Sequence, residues 1–511
     1  MDKLLFKTVA VIGAGAMGAG IAQVAAQSGY QVYLFDLAKG KAEEAKENIE
    51  KQLARRVAKG RLEQHALEST LQRISCSSEL SEISSANLVI EAIVENLEIK
   101  QGLFKELESI CSADCILASN TSSISITAIA SALKSPERFI GLHFFNPAPV
   151  MKLVEVIRGV ATADHVAETA QKWARSCGKQ SVLACSIPGF IVNRVARPFY
   201  AEGLRALEES VATVDDIDHL MRESAGFNMG PFELMDLIGH DVNYAVTKSV
   251  FDACYQDRRY QPSLAQKELV DAGFFGRKSG RGFYDYSEKA PQKNYNTCRP
   301  VTMEINATTL ATHWDDSELT LKELVNQSFF DNKNMTLNND CLVTGAILKV
   351  DDVLIMPTRG KTATELSHEL GSAVVTIDYC RDYSSTSVVA ISAALQNSDS
   401  QTEKVIAFLQ LLDKQVILIK DYPGMIVWRT LSMLGNEALD LANRKGASES
   451  DIDIAMKSGV NNPLGPVEWG EKLGWKNVKE TLECLTAFYG EERYRPSPLL
   501  RQLSYGVING K

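Results

Sequence analysis

The chain has 511 residues, 45% hydrophobic and 23% charged, with a net charge of −10. This suits a soluble protein of three or four domains and argues against a general nucleic-acid binder. Ten cysteines lack C-x-x-C pairing and seven histidines lack H-x-H or H-x-x-x-H spacing, so reduced, mostly buried thiols and no metal site are expected. With no cleavage site after "MDKLLFKTVAVIG" and no run of 18 apolar residues, the chain reads as cytoplasmic and not membrane-bound.

In chain order, "KTVAVI" (Lys7 to Ile12) is apolar and β-branched, as a buried parallel strand should be. The stretch "VIGAGAMGAG" follows, with G-x-G-x-x-G at Gly13, Gly15 and Gly18. A helix rich in small residues comes next, with Gly29 as its C-cap. "QVYLFD" reads as a second strand ending in Asp36. Strand, glycine turn, helix, strand and acid in this order make a dinucleotide site. Gly13 permits the turn, Gly15 admits the pyrophosphate and Gly18 lets helix and sheet pack closely. The segment Gly13, Ala14, Gly15, Ala16, Met17 and Gly18 would cradle the phosphates with its N–H groups. Asp36 would accept from a ribose 2′-OH and repel a 2′-phosphate, favouring NAD over NADP. The alternative is a structural turn in a flavodoxin-like sheet.

Three further strands, in "ANLVIEAI", "CILASNTSS" and "RFIGLHFFNP", each end in polar residues. Ligands of open α/β sheets sit at carboxyl ends of strands. Glu95, Asn120, Ser122, His143 and Asn146 should therefore converge on one cleft.

Beyond Cys185 the pattern turns helical: "SIPGFIVNRVARPFYAEGLRALEES" reads as a turn and a long helix. Helical periodicity runs to about residue 270, and "GFFGRKSGRGFYDY" closes the unit. The text then repeats. Pro188 and Pro423 lie 235 positions apart, as do Gly230 and Gly465, which marks a duplication. Residues from about 290 to 312 look like a polar linker. "VLIMPTRGKTATELSHELGSAVVTIDY" (Val353 to Tyr379) reads strand, helix, strand, without the glycine motif. The expected architecture is an α/β Rossmann domain, an all-α domain, a reduced Rossmann-like α/β segment and a second copy of the all-α domain. The expected boundaries are 1–185, 186–287, 288–418 and 419–511. Asn193 of the first copy corresponds to Trp428 of the second, so the second copy cannot do what Asn193 does.

A histidine at a strand end beside an NAD cleft suits a general base that takes a hydroxyl proton while hydride leaves the same carbon. His143 fills that place. Such a base needs an orienting partner, and Glu155, in an apolar segment, must be paired. Ser122 and Asn193 could donate to a substrate oxygen. Plainer readings are a structural histidine, a surface salt bridge and local caps.

These residues resemble the 3-hydroxyacyl-CoA dehydrogenase family. The resemblance rests on "VIGAGAMGAGIAQVAAQSGYQVYLFD", "EAIVENLEIKQGLF", "ASNTSSISIT", "RFIGLHFFNPAPVMKLVEVI", "IPGFIVNR" and "GRKSGRGFYDY", in the family's order through most of residues 7–286. The duplicated α domain is similar to the long bacterial members, which include phenylacetate-pathway enzymes of 3-hydroxyadipyl-CoA and 3-hydroxybutyryl-CoA dehydrogenases. The resemblance implies NAD as cofactor and an acyl-CoA thioester as substrate. It implies His143 as base, Glu155 as its partner, and Ser122 and Asn193 on the substrate. It also implies NAD contacts at Asp36, Glu95, Lys100, Asn146 and Lys278, and Lys59 near the CoA phosphates. The two α copies could pack as an internal pseudo-dimer, with further self-association open.

Other readings compete. Related β-hydroxyacid dehydrogenases place a lysine base on the α domain, where this chain has the "HFFNP" histidine instead. A non-catalytic NAD-binding protein, like the lens crystallin that resembles this family, should show a broken set, and here Ser122, His143, Glu155 and Asn193 are all present. A multifunctional β-oxidation protein is not expected, since no hydratase-like segment precedes Lys7.

Overall fold

The computed structural model describes residues 5–288, 291–303, 305, 307–309 and 348–506. Apolar runs in the first 185 residues form eight strands. They are β1 (Thr8–Ile12), β2 (Gln31–Phe35), β3 (Ile74–Ser77), β4 (Leu88–Glu91), β5 (Ile116–Ser119), β6 (Phe139–Phe144), β7 (Leu153–Arg158) and β8 (Gln180–Cys185). They form one sheet in the order β3-β2-β1-β4-β5-β6-β7-β8. All neighbours are parallel through β6; β7 runs antiparallel to β6, and β8 parallel to β7. The central strands are buried along their length, as a sheet covered on both faces requires. The first helix spans Ala16–Gln27, with Ser28 at its C-cap. Gly29, expected as the cap, makes the turn at φ 97° one place beyond it.

Contacts divide the chain into two units. One holds residues up to Arg194 together with Arg444–Val460; the other holds Val195–Asn443 and the residues from Asn461. The first unit thus takes its last helix, Glu449–Gly459, from the second α copy. Cys185 N–H donates to the Gly446 carbonyl at 2.7 Å, and Ala184 bridges Ala447. Gly459 is needed there because a Cβ would stand 2.7 Å from Leu153 Cδ2.

In the second unit a smaller sheet has the order β14-β13-β12-β11-β10-β9. Its strands are β9 (Ala307–Thr309), β10 (Leu348–Val350), β11 (Val353–Pro357), β12 (Ala373–Ile377), β13 (Val388–Ala393) and β14 (Gln415–Ile419). The expected strand, helix and strand are β11, the helix Ala363–Leu370 and β12, with β11 and β12 parallel. Part of the segment read as a linker is docked. Cys298 N–H donates to the Val416 carbonyl at 2.7 Å, and Cys298, Val301 and Ile305 pack on this sheet's core. Residues 310–312 of that segment lie outside the described residues.

The duplication extends to the backbone. Gly189 and Phe190 have φ of 75° and 47°; Gly424 and Met425 have 74° and 52°. Both copies therefore hold a non-glycine residue in the left-handed region at the same place. The expected long helix of the first copy is broken into Val192–Val195 and Arg197–Glu208, while the second runs unbroken over Val427–Asn443. Pro198, in the first turn of Arg197–Glu208, has no N–H to continue the earlier helix; Met433 stands at its place in the second copy. The copies interlock reciprocally. Glu202 of the first receives Arg493 at 3.2 Å and the Tyr494 hydroxyl at 3.4 Å; Glu437 of the second receives Arg259 at 3.4 Å and the Tyr260 hydroxyl at 2.6 Å. Reciprocal contacts of this kind mark a two-fold arrangement.

The nine described cysteines are free thiols, and only Cys111, Cys115, Cys177 and Cys380 are buried, fewer than expected; Cys341 lies outside the described residues. No described helix is long and apolar enough to cross a membrane.

Candidate active site

The glycine turn follows β1. Gly13 N–H donates to the Phe35 carbonyl at 2.8 Å, tying the turn to β2. A Cβ on Gly18 would fall 1.8 Å from the Gly13 carbonyl oxygen, so the helix start can approach the strand only with glycine there. Gly15 is different: a Cβ there would meet no protein atom within 4 Å. Nothing in the chain needs that space. Gly15, Ala16 and Asn146 line a cavity of about 590 Å³, bordered by Lys41, Lys51 and Arg55. The helix Ala16–Gln27 has no side-chain cap and no acid in its first turn, so its first N–H groups remain for an anion. The residues fit a dinucleotide pyrophosphate.

Asp36 follows β2. Its Oδ2 accepts from Ala14 N–H at 2.7 Å and its Oδ1 from Ala38 N–H at 2.9 Å, so the acid also braces the glycine loop. Lys59 caps the end of the helix Lys41–Ala58, exposed and not on the cavity. Lys41, Lys51 and Arg55 lie on that helix's cavity side instead. The helix ends before its periodicity brings Lys59 round.

Beside this cavity-forming turn sits a buried ionic cluster. Glu91, at the end of β4, takes Lys100 Nζ at 2.5 Å and the Ser119 hydroxyl at 2.6 Å. Lys100 also reaches Glu95 at 3.3 Å and is 1% exposed. Glu95 Oε1 accepts from the Thr121 hydroxyl at 2.6 Å, from Ser122 N–H at 3.1 Å and from Ser123 N–H at 3.2 Å. Burial pushes the Glu95 carboxyl up, but Thr121, Ser123 and the Lys100 ammonium hold it below the usual range. Lys100 thus acts as a buried counter-charge that sets Glu95 and the Ser122 loop. Glu91 escaped sequence reasoning, although an acid inside "LVIE" had to find a cation.

His143 lies on β6 directly opposite Glu155 on β7. Its Nδ1 is 2.6 Å from Glu155 Oε2, both side chains being buried. The antiparallel register alone brings these residues face to face. With a carboxylate on Nδ1, that nitrogen carries the proton and Nε2 holds the lone pair. Nε2 has no hydrogen-bond partner among the described residues. The rings of Phe145 and Phe190 stand 4.6 and 5.9 Å from the imidazole and fix its plane.

Glu155 does a second job. Its Oε1 accepts from Ile191 N–H at 3.0 Å and Val192 N–H at 2.9 Å, holding the start of the helix that carries Asn193. Asn193 Nδ2 approaches the Ser122 carbonyl at 3.5 Å. One carboxylate therefore links the histidine to the Asn193 segment, and Asn193 to the Ser122 loop. Asn120, also at a strand end, accepts from Phe144 N–H at 2.8 Å and steadies β6 beside His143. Lys278 lies in the other unit, exposed, with Nζ 2.5 Å from Asp241 Oδ1.

Family models match along the chain in the same order. The 3-hydroxyacyl-CoA dehydrogenase NAD-binding domain covers residues 8–187, and the family's C-terminal domain matches twice, at 189–286 and 424–506. The chain belongs to the 3-hydroxyacyl-CoA dehydrogenase family. Between the two C-terminal domains, residues 355–423 match the 3-hydroxybutyryl-CoA dehydrogenase reduced Rossmann-fold domain. The 3-hydroxyadipyl-CoA dehydrogenase of Escherichia coli K12 is 48% identical over 496 residues, 97% of each chain. The crystal structure of 3-hydroxybutyryl-CoA dehydrogenase from Escherichia coli K12 substr. MG1655 superposes with a TM-score of 0.87, at 46% identity and 98% coverage of each chain. A probable 3-hydroxybutyryl-CoA dehydrogenase of Bacillus subtilis is 44% identical over 283 residues, 55% of this chain and 98% of its own. This member of the dehydrogenase family is an NAD-dependent oxidoreductase built on a Rossmann domain, a helical domain, a reduced Rossmann segment and a repeated helical domain.

Proposed function

We propose that this chain oxidises a 3-hydroxyacyl-CoA to the 3-oxoacyl-CoA, short-chain or 3-hydroxyadipyl, with His143 as general base. The observation that carries the reading is His143 held by Glu155 through Nδ1 with Nε2 left to accept a proton. When bound, NAD supplies the hydride acceptor. Its pyrophosphate would rest on Gly13, Ala14, Gly15, Ala16, Met17 and Gly18, with Asp36 at the ribose and Glu95 and Asn146 nearer the nicotinamide.

The chain's own residues do the rest. His143 Nε2 takes the substrate hydroxyl proton. Glu155 holds Nδ1 and steadies the imidazolium that forms. Ser122 and Asn193 donate to substrate oxygens and orient C3, favouring the developing carbonyl. Remote contacts to CoA hold the thioester in place, with Lys59 near its phosphates.

The two α copies pair as an internal pseudo-dimer, on the reciprocal Glu202–Arg493 and Glu437–Arg259 contacts. Sedimentation at low concentration should then give the mass of one chain; two chains would count against it.

The test is NADH oxidation, followed by absorbance, with acetoacetyl-CoA and 3-oxoadipyl-CoA. His143→Ala should lower kcat by about 10³-fold while NADH still binds. Turnover by wild type with neither thioester, despite NADH binding, would overturn the reading. The ratio between the two thioesters assigns the acyl chain.

A further inference from the structure

In the second unit a cavity of about 280 Å³ runs along one face of the helix Arg197–Glu208. Arg197, Tyr200 and Leu204 line it at helical spacing, facing Thr247, Arg259 and Gln266. Arg197 is 5% exposed. Its Nη1 donates to the Thr247 hydroxyl at 2.8 Å, and its Nε is buried with no partner. Among the described residues no carboxylate pairs with it, and its only other neighbour of note is the Tyr200 ring, 4.8 Å from Cζ. Burial lowers its proton affinity, as expected of a cation out of water without a counter-charge.

The other arginines on this cavity are committed. Arg205 makes two bonds to Glu491 and one to Glu209. Arg493 pairs with Glu202. Arg259 meets Glu437 and Asp440 at 3.4 and 3.5 Å, yet its Nε and Nη2 are buried without partners. The one acid on the wall without a cation, Glu208, is exposed at the rim and accepts from the Ser263 hydroxyl and Ala265 N–H. In the second copy, Ser432 stands where Arg197 stands in the first. The fold therefore does not need an arginine at this place.

A buried guanidinium without a counter-charge is unfavourable unless a ligand completes it, and its planar fork matches a carboxylate. We propose that this cavity binds a carboxylate group, with Arg197 as its ion-pair partner and Arg259 as a second cation. The volume is below the range for drug-sized ligands, so the occupant is short. It is a free short dicarboxylate, and its binding does not rest on the dehydrogenase reading above.

The test uses the full chain, with Arg197→Met and Arg197→Lys checked for folding by circular dichroism. Millimolar adipate should raise the Tm of wild type and, less, that of Arg197→Lys. Adipate should leave the Tm of Arg197→Met unmoved. Turnover of acetoacetyl-CoA stays near wild type. No adipate shift in wild type, or an equal shift in Arg197→Met, overturns the proposal. Should Arg197→Met not fold, the wild-type adipate titration and Thr247→Val carry the same comparison. A wild type that reduces neither thioester yet is protected by adipate would sink the dehydrogenase reading and leave this cavity standing.

Discussion

In the first copy of the duplicated segment, Glu155 accepts the backbone N–H groups of Ile191 and Val192 with one oxygen and binds His143 with the other. In the second copy, Asp378, just past β12, accepts Ile426 and Val427 on Oδ2, and Trp428 and Tyr379 on Oδ1. Both copies anchor the same helix start on a buried acid, Glu155 within β7 and Asp378 just past β12. In the second, both oxygens are used up on backbone, and no histidine stands opposite. Where the first copy has Asn193, the second has the Trp428 indole, buried and bonded to the Thr481 hydroxyl at 2.7 Å. The anchor belongs to the scaffold. The chemistry needs one oxygen left over.

Removing the two acids should separate these roles. Glu155→Ala and Asp378→Ala each strand buried N–H groups, so each should lower unfolding free energy by about 2–5 kcal/mol in denaturant melts. Glu155→Ala should also cut kcat by about 10³-fold, because His143 loses its orienting partner. Asp378→Ala should leave kcat per folded molecule unchanged. Equal losses of kcat in both variants would mean that the anchor, not the His143 contact, sets activity. Trp428→Asn sharpens the comparison from the other side. It empties a buried indole site and should lower stability by about 3 kcal/mol or more, without restoring any turnover to His143→Ala.

A smaller effect is expected where the copies interlock. Burial alone would raise the Glu202 carboxyl, but the charges of Arg429 and Arg493 hold it below the usual range. The native state then binds this proton less tightly than the unfolded chain. The stability from Glu202 is present above the ordinary glutamate pKa of about 4.3 and is lost as pH falls through its lower native value. The Tm of Glu202→Gln should therefore fall less between pH 5 and 3 than that of wild type, and an equal fall would assign the acid sensitivity elsewhere.

The local parts of this molecule were legible in the sequence. The glycine turn, the strand ending in Asp36 and the helix after "IPGF" depend on neighbours along the chain. His143 could be placed because it ends a strand run. Its pairing with Glu155 came from the need for a partner and from the family resemblance, since the antiparallel return of β7 shows in no residue pattern. Lys59 was placed near the CoA phosphates by the family resemblance alone, and it stands just past the end of its helix at Ala58. The Glu91–Lys100 pair was missed, since nine residues and a turn separate partners that burial joins. The copy interlock joins residues about 180 to 290 positions apart, where periodicity carries no information.

The return of residues 444–460 to the first unit bears on how the chain is made. Strand β8 closes one edge of the large sheet, and its outer side meets Gly446 and Ala447. Gly446 follows Cys185 by 261 residues. At about 5–20 residues per second, a ribosome delivers it roughly 13–50 s later. For that interval the nascent sheet carries a bare edge, the kind that pairs with stray strands. The duplicated half thus serves during synthesis as a delayed cover for the half that came first.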